Sequence, residues 1–156
     1  MGQKMQIVPI EHKHFPELFN VTTVCEPWWG MDRNTSDRLF SKREGFVLLS
    51  EDGKVAGHIT ISDYTVKLDT FLHCSVLPEY QKRWLTRHIY KTVFDYIFND
   101  LECIRATGWA AEGLNDLTFH ERLGFKHEGV HRQSLRIMGK YYDLHHFGML
   151  KDERRW

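Results

Sequence analysis

The residues most able to do chemistry lie in the stretch Val76-Leu77-Pro78-Glu79-Tyr80-Gln81-Lys82-Arg83-Trp84-Leu85-Thr86. It leaves an apolar strand, passes a proline and enters the first turn of an amphipathic helix. The leading N–H groups of a helix have no internal partner, and the macrodipole favours negative charge beside them. The residues that follow Tyr80 can offer such N–H groups, and Lys82, Arg83 and Arg87 add positive charge. A strand that opens directly onto a helix start predicts a site for a phosphorylated ligand. The plainer alternative is a solvated basic helix start.

The elements around that stretch can be read from pattern. Met5–Ile10 reads as a strand, Glu17–Val24 as a helix with Pro16 in its first turn, and Trp28-Trp29-Gly30-Met31 as a loop. Asn34-Thr35-Ser36-Asp37 can cap a short helix reaching Phe40. Gly45–Ser50 and Val55–Asp63 form a hairpin about Glu51-Asp52-Gly53-Lys54, and Leu68–Val76 is a third strand rich in β-formers. Leu85, Ile89, Val93, Phe94, Ile97 and Leu101 recur at helical spacing, which predicts one long helix over Pro78–Asp100. Cys103–Trp109 is a strand, and Asn115 caps a helix that stops at Gly124. Phe125–Leu135 and Tyr141–Leu150 pair about Met138-Gly139-Lys140. Strands on both sides of a central helix predict an α/β chain, a mixed sheet with helices on its faces.

The chain has 156 residues, enough for one domain over 1–156. Lys+Arg and Asp+Glu are both 21, which argues against a dedicated nucleic-acid binder. The cysteines, Cys25, Cys74 and Cys103, are odd in number and show no metal-type spacing. Cys74 and Cys103 sit inside apolar strand patterns and read as buried free thiols, which suits a reducing cytoplasm. Met1–Pro9 is polar and too short for a secretory signal, and no apolar run reaches the length of a membrane span. Among the ten histidines, His145 and His146 are adjacent in a strand and face opposite ways, so no metal is assigned. Lys151, Arg154 and Arg155 read as a solvated basic tail.

The order of elements, with these residues, resembles the Gcn5-related N-acetyltransferase (GNAT) superfamily over nearly the whole chain. Val76, Pro78 and Gln81 match its central signature, and Leu123-Gly124-Phe125 with Glu128-Gly129 match its second. Gly139-Lys140-Tyr141-Tyr142-Asp143, followed by Phe147-Gly148-Met149-Leu150, is similar to the branch that acetylates N-termini of ribosomal proteins. Trp84 and Thr86 stand where the family's loop has small residues. That variant, with Arg155-Trp156 at the end, resembles forms found in bacteriophage genomes.

The resemblance implies a central mixed, twisted sheet of six to seven strands, splayed in the middle and flanked by about four helices. It implies acetyl-CoA as cofactor, an amine-bearing acceptor, no membrane partner, and a monomer or homodimer. The cofactor neighbours would be Ser75, Val76, Leu77, Gln81, Lys82, Arg83, Trp84, Leu85, Thr86, Arg87 and Asn115. A backbone N–H within Ser75–Leu77 would polarise the thioester carbonyl, and Gly108 would admit close backbone approach. Trp84 is expected to turn its ring into the core, away from the phosphate path. Two family positions differ: Gly113 stands for an Asn, with Asn115 close by, and His120 for a Tyr that protonates the leaving thiolate. His120 can do the same near neutrality, or it is a hydrogen-bonded helix-face histidine.

Asp69 and His73 are an even number of residues apart on one strand, so they share a face and can relay a proton from the acceptor. Otherwise Asp69 is solvated and His73 a half-buried, hydrogen-bonded ring. Trp28, Trp29 and Asp32 occupy the family's acceptor loop, where an aromatic wall with a carboxylate suits a cationic amine. Their alternative is a Trp pair plugging the sheet edge. The divergent loop keeps a second reading open: a GNAT-fold protein with weakened catalysis, serving as a binding or virion component.

Overall fold

The computed structural model describes residues 4–156; the first three residues of the Met1–Pro9 stretch lie outside it. Its strands form a seven-stranded mixed sheet in the order β1-β2-β3-β4-β5-β7-β6, with four α-helices. The strands are β1 Gln6–Pro9, β2 Glu44–Leu49, β3 Val55–Thr65, β4 Asp69–Val76, β5 Arg105–Ala111, β6 Lys126–Ile137 and β7 Lys140–Leu150. The helices are α1 Phe15–Cys25, α2 Arg33–Ser41, α3 Arg87–Asp95 and α4 Phe119–Leu123. Contacts group the chain into two compact units, one running up to Ser62 and resuming over Leu72–Asp95, the other Asp63–Phe71 with Tyr96–Trp156.

In the first unit β1, β2 and β3 are antiparallel, with Val8 opposite Val47 and Val47 opposite His58. Alternation along β2 buries Val47 in a cluster with Phe15, Leu18, Val21, Phe40 and Val55. Asp32, not Asn34, caps α2: its carboxylate accepts the Thr35 N–H at 2.7 Å. α3 buries Ile89, Tyr90, Val93 and Phe94, the face its apolar spacing predicts. Its start differs from the sequence reading. Pro78–Tyr80 is a lone 3-10 turn, and the helix begins only at Arg87. The Thr86 hydroxyl accepts the Ile89 N–H at 3.2 Å, and the Thr86 carbonyl accepts the Tyr90 N–H at 3.0 Å. Thr86 is therefore the cap, and it could not cap a helix that had begun at Gln81.

In the second unit β5 pairs antiparallel with β7, β7 with β6, and β4 runs parallel to β5 with Phe71 opposite Thr107. Met138 (φ 50°) and Gly139 (φ 79°) make the tight turn of the β6–β7 hairpin. The predicted long helix ends here as a π turn over Tyr96–Asp100. α4 also starts later than its pattern suggests, at Phe119 with Thr118 before it. Asn115 caps no helix; its side-chain oxygen accepts the Ala111 N–H at 2.8 Å and closes the end of β5. Gly124 (φ 105°) ends α4 in the left-handed conformation expected of it.

One close approach fixes the end of β4. A Cβ on Gly57 in β3 would run into the Ser75 carbonyl and lie 2.9 Å from the Val76 Cα. Only glycine lets β3 come this near. Gly57→Ala should therefore destabilise the chain by about 1–3 kcal/mol through overpacking, visible as a lower urea midpoint at unchanged slope.

Candidate active site

The C-terminal end of β4 is held by side chains from two directions. The Val76 carbonyl accepts the Gln81 side-chain amide at 3.0 Å and the Cys25 thiol at 3.4 Å. One residue back, the Ser75 hydroxyl donates to Glu26 Oε1 at 2.8 Å. Leu77 gives its N–H to the Ala56 carbonyl at 2.8 Å. Backbone groups alternate in direction along a strand, so the Val76 N–H turns to the edge of β4 that faces away from β3. Within Ser75–Leu77, Leu77 is thus already committed.

The turn that follows is not an open row of N–H groups. Gln81 N–H donates to the Pro78 carbonyl at 3.3 Å, and Arg83 N–H to the Tyr80 carbonyl at 3.1 Å. Those two donors are therefore already committed, and α3, with the leading N–H groups of a helix start, begins only at Arg87. Gln81, Lys82, Arg83, Thr86 and Arg87 are exposed around this start, and Leu85 is half-buried. Trp84 is only 6% exposed, so its ring occupies the core. Asn115 belongs to the other unit, at the end of β5.

The two proton-relay candidates sit in different surroundings. His73, in the first unit, makes a 2.7 Å hydrogen bond with Ser62, and burial, with the Arg43 charge, pushes it down to about 3. Asp69, in the second unit, accepts the Thr107 hydroxyl at 2.8 Å and lies 3.5 Å from Arg105 Nε. Arg105 also forms a two-pronged pair with Glu128 at 2.6 and 3.1 Å, which holds the Glu128 carboxyl below its usual range.

His120 lies in a stack of rings in the second unit. It is parallel to Phe147 at 4.8 Å and edge-on to Phe125. A Cβ on Gly108 would stand 2.5 Å from its Nε2, so the glycine of β5 makes room for this ring. Burial pushes His120 down to about 4, and its buried Nδ1 has no partner among the described residues. Four further histidines pair across the β6–β7 hairpin, His127 with His145 at 3.0 Å and His131 with His146 ring to ring at 3.9 Å.

In the acceptor loop Pro27–Trp29 is a 3-10 turn ended by Gly30 (φ 56°). Trp29 is 39% exposed and donates its indole N–H to Glu26 Oε2 at 2.6 Å. Trp28 is half-buried. Asp32 is occupied as the α2 cap, and the Thr35 N–H holds its carboxyl below the ordinary range. The carboxylate beside the tryptophans is Glu26. Sequence reasoning missed it because its partner Ser75 is 49 residues away, and no local pattern marks that contact.

The Acetyltransferase (GNAT) family model matches residues 14–125, and the chain belongs to that family. It is an N-acetyltransferase. It is 27% identical over 143 residues to the SPbeta prophage-derived uncharacterized N-acetyltransferase YokL of Bacillus subtilis (strain 168), covering 90% of this chain and 75% of that one. The fold matches spermidine N-acetyltransferase SpeG of Vibrio cholerae at TM-score 0.74 and 17% identity, over 95% and 94% of the two chains. A GNAT-family acetyltransferase from Bacillus anthracis matches at TM-score 0.75 and 14% identity, over 96% of each chain. Another Vibrio cholerae SpeG structure is dodecameric. No helix among the described residues is long and apolar enough to cross a membrane.

The buried histidines set the acid limit of stability. His73 and His120 take a proton in the unfolded chain near 6.5 but in the folded chain only near 3 and 4. Between those values the unfolded state holds the extra proton. Their stabilisation is therefore complete above 6.5 and is lost as pH falls toward the folded values. From about pH 7 to about pH 5 each should cost about 2 kcal/mol in urea unfolding, and a flat profile would contradict neutral burial. Trp84→Gly should cost about 3 kcal/mol from the lost ring and added chain entropy, without tightening acetyl-CoA binding tenfold in calorimetry.

Proposed function

We propose that this chain moves the acetyl group of acetyl-CoA directly to a primary amine: a protein N-terminus, a lysine or a small amine. The observation that carries this is the Val76 carbonyl, clamped by Gln81 and Cys25. The clamp and the Leu77–Ala56 bond together leave the Val76 N–H directed outward from the strand edge. A fixed N–H of this kind stabilises charge developing on a carbonyl oxygen and needs no reorganisation to do so.

The residues present fit acetyl-CoA, with a changed division of labour. The N–H groups of Arg87 and His88 at the start of α3 would hold the pyrophosphate, aided by Lys82, Arg83 and Arg87. Gln81, a phosphate neighbour by resemblance, is a positioning residue: its amide is spent on the Val76 carbonyl. Trp84 takes the core role, and Thr86 the capping role. When bound, acetyl-CoA supplies an activated acetyl thioester.

The other roles follow from the surroundings. An ammonium acceptor must lose a proton before attack, and in this reading ordered water takes it near the acceptor loop. His73 is held neutral well below neutrality and is bonded to Ser62; its part is to fix β3 against β4. Asp69 serves the Arg105–Glu128 network. His120 packs α4 against β5 and β7, and the departing thiolate is protonated from solvent. The prophage-derived relative favours a phage-associated setting, and the spermidine-acetylating neighbours favour a small cationic amine among the acceptors.

Acetyl-CoA at about 100 times its Kd should add about 2.7 kcal/mol of stability, read as a raised melting temperature. Gln81→Ala should weaken catalysis with a smaller effect on cofactor affinity, since it acts through Val76. No melting shift at any acetyl-CoA concentration would overturn the reading.

A further inference from the structure

Glu26 ends α1 and lies half-buried between an exposed tryptophan and the clamped strand. Its Oε2 accepts the Trp29 indole N–H at 2.6 Å, and its Oε1 accepts the Ser75 hydroxyl at 2.8 Å. Both donors are neutral. Among the described residues no lysine, arginine or histidine forms an ion pair with Glu26. A carboxylate offers about four lone-pair sites, so two neutral donors orient it and leave capacity for a charged third. A half-buried carboxylate without a cation is costly unless something positive arrives to pair with it.

The field around it points the same way. The Cys25 thiol is pushed up to about 11, first by burial and then by Glu26 and Glu79. Burial raises Cys74 too, with Cys25 and Glu26 adding to it. Glu26 and Glu79 thus both bear on the thiol that meets the end of β4, so negative charge gathers there. Trp29, 39% exposed, stands next to that charge, and an aromatic ring beside a carboxylate is a combination that receives an ammonium.

We propose that Glu26 is the specificity-determining residue of the acceptor site, pairing directly with a positively charged primary amine that rests against Trp29. This rests on the N-acetyl transfer reading above and adds the side chain that selects cationic amines in preference to neutral or acidic ones. Ser75 ties the carboxylate to the residue preceding Val76, so the contact that selects the amine and the N–H that polarises the thioester belong to one rigid piece. Asp32, the carboxylate that sequence reasoning singles out, is spent as a helix cap.

The test uses the full chain with coenzyme A present and 1,4-diaminobutane as probe, with 1,4-butanediol as the neutral control. Calorimetry should show diaminobutane binding that weakens at least tenfold in Glu26→Gln and is largely restored in Glu26→Asp. The diol should not bind. The melting shift produced by acetyl-CoA should be the same in wild type and Glu26→Gln, which separates loss of the acceptor contact from failure of the transferase reading. A second readout needs no Glu26 variant: diaminobutane should move the Trp29 indole N–H resonance of the wild-type protein, assigned by its absence in Trp29→Phe. Glu26→Gln binding within twofold of wild type, an unmoved indole resonance, or no diaminobutane binding by wild type would each overturn the proposal.

Discussion

The Val76 carbonyl accepts from two side chains, Cys25 from the end of α1 and Gln81 from the turn after β4. A single strand end is thereby held from both sides in sequence. Each bond is modest, about 1 kcal/mol net, yet together they decide the direction of the peptide. With Gly57 bringing β3 close and Ala56 taking the Leu77 N–H, the Val76 N–H has one outward direction. The Glu26 carboxylate is fixed by the same means, since it follows Cys25 and reaches Ser75. Loosening the clamp would therefore loosen the Val76 peptide and the Glu26 carboxylate together.

Much of this was legible in the sequence, for identifiable reasons. Val76, Pro78 and Gln81 were picked out by resemblance to a family signature, which marked the place but gave Gln81 to the phosphates and not to the Val76 carbonyl. Gly124 and the Met138-Gly139 turn are also readable, because positive φ restricts which residues serve there. The apolar face of α3 followed from helical spacing, but its start did not. Spacing of Leu85 and Ile89 cannot tell a helix from a turn leading into one, and Thr86 resembles any small polar residue until its hydroxyl is seen on the Ile89 N–H. Ile97 and Leu101 kept the period while the backbone passed into a π turn.

Side chains with distant partners were the least legible. Glu26 reads as an ordinary polar residue at a helix end, and only the contact with Ser75 gives it a role. His120 illustrates the opposite case. Its residue type suggests titration near neutrality, but the space left by Gly108 and the faces of Phe147 and Phe125 hold it neutral. Asp69 and His73 share a strand face, yet each is engaged by a different neighbour, Thr107 and Ser62. Strand alternation gives a face but not the groups waiting on it.

The central claim is that the outward N–H of Val76 and the first N–H groups of α3 are the donors that meet the cofactor. Amide hydrogen exchange resolved to single residues, with and without acetyl-CoA, tests it most directly. The account predicts that Val76, Arg87 and His88 gain protection on binding while the already bonded Gln81, Arg83 and Leu77 amides change little. Protection confined to Gln81 and Arg83, or none at Val76, would contradict it.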